Sequence, residues 1–167
     1  MKKLLLPLDG SSRSLRTIDM VKKTFSQDQA SVTMLMILPT ESSMEAHLGI
    51  ARTEGAAQKE LDAFAALLPG YQVTTALRKG TPGLEIVKFA KDEGFDALCM
   101  TRATRGFLQK MGSVATYIVK NAAFLDLFIM GEEGDQSYHN HTPKGKAKAF
   151  PFLFDKFTKL CYNTYGR

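Results

Sequence analysis

Residues 80–100 read "GTPGLEIVKFAKDEGFDALCM", and this stretch carries a whole helix-then-strand unit in one breath. Thr81 followed by Pro82 is a helix start, a capping hydroxyl ahead of a proline whose fixed φ and missing N–H suit the first helical position. Leu84, Val87 and Ala90 then recur at helical spacing, and Gly94 supplies the stop. The apolar run "FDALCM" (95–100) follows at once and has the length of a buried strand.

The same alternation runs outward in both directions. Upstream, "KLLLPLD" (3–9) predicts a first buried strand, ending in Asp-Gly-Ser-Ser, a turn that caps a helix carrying Leu15, Ile18, Val21 and Phe25. "SVTMLMIL" (31–38) is a second strand, closed by Pro39, and the polar stretch 40–53 is a loop or partial helix containing the lone His47. From Glu54, the positions Ala57, Leu61, Phe64, Ala65 and Leu68 mark one helix face, stopped by Pro69-Gly70. "YQVTTAL" (71–77) alternates and is rich in β-formers, so it predicts an edge strand. Downstream of the decisive unit, Ser113 caps a helix that runs through Ile118 to Ala122, and "FLDLFIM" (124–130) is a fifth strand ended by Gly131.

Strands alternating with helices imply parallel pairing through right-handed crossovers. The expected fold is therefore α/β: a flavodoxin-like, doubly wound sheet of five parallel strands with helices on both faces. Ligands of such sheets sit beyond the carboxyl ends of the strands, where strand order reverses. With strands one and four adjacent at that point, Pro7–Ser12 would face the stretch from Met100 to Val114.

Composition narrows the class. At 167 residues, 44% hydrophobic and 23% charged, the chain suits one globular domain. "MKKLLLPLDG" is broken by Pro7 and Asp9 too early for a signal sequence, and no apolar run has the length of a membrane span. Cys99 and Cys161 have no metal or redox spacing, which suits a reducing cytoplasm. The net charge of +5 is uneven: residues 1–136 carry 16 basic and 16 acidic side chains, whereas 137–167 carry 6 basic and the single Asp155.

Four segments in order, "LLLPLDGSSRSLR", "SVTMLMIL", "GTPGLEIVKFAKDEGFDALCM" and "GSVATYIVKNA", resemble the universal stress protein family over residues 2 to about 131. The resemblance implies the five-stranded fold above, of the adenine-nucleotide α-hydrolase-like type, often dimeric through the fifth strand. In the nucleotide-binding branch it also implies an ATP site. Asp9, two residues after Pro7, matches the aspartate that hydrogen-bonds the nucleoside, and Ile37 matches the residue against the base. The family's phosphate loop runs Gly-x-x-Gly, nine residues, then Gly-Ser or Gly-Thr. Here Met100 matches, Thr101 and Thr104 replace the first two glycines, seven residues intervene, and Gly112, Ser113 and Val114 match the closing end. A Cβ at each threonine costs clearance where backbone must approach phosphate, so nucleotide binding is expected to be weak or absent. Arg102 and Arg105 could add positive charge to this loop.

Other chemistry finds little support. No P-loop is present, and Ser11 and Ser12 lack the glycines of a nucleophile elbow. Asp9 has no paired acid, so no catalytic residue or metal of the protein's own is assigned, magnesium entering only with a nucleotide. His139 and His141, near Asp135, read as exposed polar tail, and Cys99 as a small core residue. Residues 1–134 form the domain in this reading and 135–167 an appendage: a linker (135–149) and an amphipathic helix (150–163) with Leu153, Phe157, Leu160 and Cys161 on one face. The function expected is a cytoplasmic, stress-responsive binding or regulatory homodimer, paired through strand 124–130, with the tail touching the dimer mate or another protein. Specific nucleic-acid binding and membrane-surface contact are not expected. The alternative is an ATP-binding switch with slow hydrolysis, its nucleotide held between Asp9 and the 100–114 loop.

Overall fold

In the computed structural model, residues 1–101, 104–105, 110–130 and 139–141 are described. The leucine run at the amino terminus forms β1 (Lys2–Pro7), and Leu4, Leu5 and Leu6 are all fully buried. Three consecutive buried side chains on a strand require cover on both faces, since neighbours point in opposite directions. Helix α1 (Ser12–Thr24) and α3 (Glu54–Ala65) cover one face; α4 (Pro82–Asp92) and α5 (Ser113–Asn121) cover the other. Leu4, Leu6, Met34 and Met36 belong to the first layer, and Leu5, Leu35, Leu98 and Met100 to the second.

β2 (Ala30–Leu38), β3 (Gln72–Lys79), β4 (Ala97–Thr101), the short pair β5 (Thr104–Arg105) and β6 (Lys110–Met111), β7 (Asp126–Met130) and β8 (His139–His141) complete the strands. The sheet order is β3-β2-β1-β4-β7-β8. The first five run parallel, which is the predicted doubly wound arrangement, with β3 at an edge as its composition implied. β1 lies between β2 and β4, so the chain reverses its direction of winding beside Asp9. The 40–53 stretch contains only the single turn α2 (Met44–His47).

Several details depart from expectation. Leu15 and Leu84, placed by periodicity on buried faces, are 46% and 49% exposed. The inward face of α1 instead carries Ser14 and Thr17 beside Ile18, Met20 and Val21. That face overlies strand ends whose backbone groups need partners, so hydroxyls serve there better than leucine does. The cap of α5 is Gly112, in an extended conformation with no side-chain cap bond, and Ser113 is the first helical residue. Part of the segment expected to be a linker is a strand: β8 pairs antiparallel with β7, Phe128 opposite Asn140. The outer edge of β7 expected to meet a second copy is therefore where β8 lies. The tail helix expected over 150–163, like Arg102 and Gly106, falls outside the described residues.

Candidate functional site

The site grows from the end of β1. Pro7 is in register with Leu35 of β2, and the Leu8 amide still donates to the Leu35 carbonyl at 2.8 Å, so the strand holds its course until Asp9. Gly10 then turns the chain with φ +77°, a conformation that favours glycine. Asp9 closes this turn onto the start of α1. Its carboxylate accepts from the Ser11 amide (3.0 Å), the Ser11 hydroxyl (2.5 Å), the Ser14 hydroxyl (3.2 Å) and Arg13 Nη2 (2.7 Å). Ser14, itself 2% exposed, accepts in turn from the amides of Asp9 and Gly10. Partial burial works to raise the Asp9 pKa, but the bonds from Ser11 and Arg13 outweigh it and hold it at about 2 against an ordinary 3.8.

A second cation reaches the same turn from the residue before the cap of α3. Arg52 Nη1 lies 3.4 Å from the Asp9 carbonyl oxygen and 3.0 Å from Glu60 Oε2 on α3. The two hydrophobic candidates share one face of the sheet. Met100 is buried in the α4/α5 layer, and Ile37 is half-buried against it.

Thr101 does not take up a glycine's role. It continues β4 in register with Met130 and is 7% exposed. Its amide donates to Thr17 Oγ1 at 3.0 Å, and the two hydroxyls lie 3.1 Å apart. Thr104 pairs with Met111 in the β5–β6 hairpin. The stretch expected to wrap a phosphate is thus built partly from extended pairs, as β-branched residues prefer. Gly112, at φ −61°, occupies a conformation open to any residue. Beyond it, Ser113 is exposed and Val114 half-buried at the start of α5, whose first turn carries no acidic side chain. The positive end of that helix favours an anion.

Cys99 is fully buried in β4, and burial pushes its thiol up to about 12, the behaviour of a core residue. Among the described residues no group of three or more His, Cys, Asp or Glu could hold a metal ion, and no helix is long and apolar enough to cross a membrane.

A sheet that reverses at an Asp-Gly turn opposite a Gly-Ser helix start has clear relatives. The model of the universal stress protein family matches residues 1–124. This chain belongs to the universal stress protein family. A universal stress protein of Methanocaldococcus jannaschii is 31% identical over 132 residues, covering 72% of this chain and 77% of that one. Among solved structures, the hypothetical protein MJ0577 superposes with a TM-score of 0.60 at 23% identity, over 80% of this chain and 98% of its own. A universal stress protein in complex with cAMP gives 0.56 at 19% identity, over 77% and 96%. An Arabidopsis thaliana family protein with AMP bound gives 0.56 at 14%, over 81% and 95%. At these identities the structural likeness is one of fold.

Sequence reasoning missed the residues that organise the stress-protein crevice here: Arg13, Ser14, Thr17, Arg52 and Glu60. Ser14 and Thr17 had a legible signal, since they lie three apart and stand among apolar residues on one helix stripe. Arg13 is four residues after Asp9. Arg52 and Glu60 had no such signal, because they meet the turn only through the packing of α3.

Proposed function

We propose that this universal stress protein is a regulatory binding protein, not an enzyme, and that it holds an adenine nucleotide weakly at the ends of β1 and β4. The observation that carries this reading is the pairing of elements at the winding reversal: the ordered Asp9 turn on one side and the uncapped start of α5 on the other. Asp9 would meet the nucleoside, Ile37 and Met100 the base, and Ser113 with the first amides of α5 the phosphate. The cAMP and AMP complexes of two structural neighbours support that choice of ligand.

Weakness follows from the local bonding. Asp9 already accepts four hydrogen bonds, close to the capacity of a carboxylate, so a nucleoside must displace one of them. Thr101 is tied to Thr17 and does not turn its amide outward. In this reading the protein works in the cytoplasm as a homodimer joined through β7, with β8 displaced from that edge and the tail against the mate or another protein.

Calorimetric titration of the full chain with AMP and ATP, with and without magnesium, tests the assignment. Native protein should bind with modest affinity, and Asp9→Ala should lose that binding. Equal affinity in the variant refutes the site. Conversion of ATP to ADP during the titration would replace this reading by that of an ATP-hydrolysing switch.

A further inference from the structure

Arg52 ends the excursion between β2 and α3 and brings its guanidinium back across the Asp9–Gly10 turn. The same nitrogen that approaches the Asp9 carbonyl lies 3.1 Å from Met36 Sδ, so the group spans β1, β2 and α3 at their meeting point. How close it lies is shown by Gly10. A Cβ built there would stand 2.7 Å from Nη1 and 2.8 Å from Nη2 of Arg52, and would collide with Glu60 Oε1. The ion pair therefore rests directly on the turn, and glycine makes room for it.

The Arg52–Glu60 pair is also accessible. The two side chains are 37% and 29% exposed, and ion pairs of that exposure are weak because water competes for both partners. Arg13, the other guanidinium at the turn, is bonded to the Asp9 carboxylate itself, the group this reading assigns to the nucleoside. Arg52 can give up Glu60 at little cost.

We propose that Arg52 is a second phosphate-contacting side chain of this crevice, in addition to Ser113, and that Glu60 is the internal anion it exchanges for that phosphate. The inference rests on the nucleotide reading above and deepens it. A guanidinium matches phosphate with two parallel N–H donors, a stronger arrangement than one half-exposed carboxylate contact. Glu60 sets the threshold: an uncharged ligand leaves the pair alone, and only a ligand with a phosphate competes for Arg52.

The full chain is titrated with AMP and, in parallel, with adenosine, which lacks the phosphate. Arg52→Gln should weaken AMP binding about tenfold and leave adenosine unchanged, with Arg52→Lys retaining part of the AMP affinity. Glu60→Gln should strengthen AMP binding several-fold, because the competing carboxylate is gone. Equal losses for AMP and adenosine in Arg52→Gln would show a merely structural role and overturn the proposal. So would AMP affinities unchanged in both variants; if Asp9→Ala still abolishes binding in that case, the nucleotide reading survives without Arg52. Absence of AMP and adenosine binding in both the native chain and Glu60→Gln overturns both.

Discussion

Removing the Thr17 hydroxyl should cost far more than removing that of Thr101, although the two face each other at 3.1 Å. Thr17 Oγ1 has one proton and two lone pairs, and the structure uses all three. The proton reaches the Arg13 carbonyl at 3.1 Å, and the lone pairs take the Thr101 amide and, with that proton committed, the Thr101 hydroxyl. Both residues are buried, at 2% and 7% exposure, so water cannot replace a lost partner. Thr17→Val keeps the shape but orphans a buried amide and a buried hydroxyl, and each such group costs about 1–3 kcal/mol. A loss of about 2–3 kcal/mol is expected, or roughly 5–10 °C in Tm for a chain of this size. Thr101→Val deletes one hydrogen bond and orphans nothing, so about 1 kcal/mol is expected. The double variant should be no less stable than Thr17→Val alone, because the orphaned hydroxyl is gone. Urea denaturation at neutral pH, with unchanged m-values, reads these differences. If Thr101→Val proves as damaging as Thr17→Val, the assignment of donors and acceptors around Oγ1 is wrong.

Gly10→Ala should destabilise the fold by about 1–2 kcal/mol through its left-handed backbone, and it should displace the Arg52–Glu60 pair that a Cβ would strike; a crystal structure of the variant with that pair intact would contradict the packing described. The Asp9 turn should also register in acid. Its pKa is depressed in the native state to about 2 from 3.8, so its contribution is present above the unfolded value and fades as pH falls through the native one. Stability measured by denaturation between about pH 5 and pH 2 should therefore fall less steeply in Asp9→Asn than in the native chain, and parallel profiles would show that the bonds from Ser11 and Arg13 do not act on its ionisation.

How much of this could be read from the residues differs by level. The parallel, doubly wound sheet followed from alternation of strand and helix, because buried parallel strands are continuous apolar runs and their crossovers need helices. The Asp-Gly turn was legible too, whereas the reversal beside Asp9 depended on taking strands one and four as neighbours, which the observed order bears out. The side chains that make the turn specific were harder. Periodicity assigns apolar residues to helix faces, so it placed Leu15 and Leu84 inward and passed over Ser14 and Thr17, whose burial depends on unpaired backbone groups at strand ends. Thr101 and Thr104 were understood as damaged glycines, a comparison by position. The structure shows Thr101 with a partner of its own on α1, 84 residues earlier in the chain. Arg52 and Glu60 belong to the same category, joined to the turn by tertiary packing that no local pattern encodes.

The placement of β1 between β2 and β4 has a consequence for how the chain is made. Its hydrogen bonds to β2 can form once residue 38 has left the ribosome, but those to β4 must wait for Ala97 and Leu98. During synthesis of the intervening stretch, at about 5–20 residues per second, the Leu4–Leu6 strand has one open side for roughly 3–12 seconds. An exposed, apolar, unpaired strand is the kind of surface that captures other nascent chains. The open edge of β1 closes only when Ala97 and Leu98 arrive, so the middle strand of the five parallel ones is the first made but not the first to be enclosed.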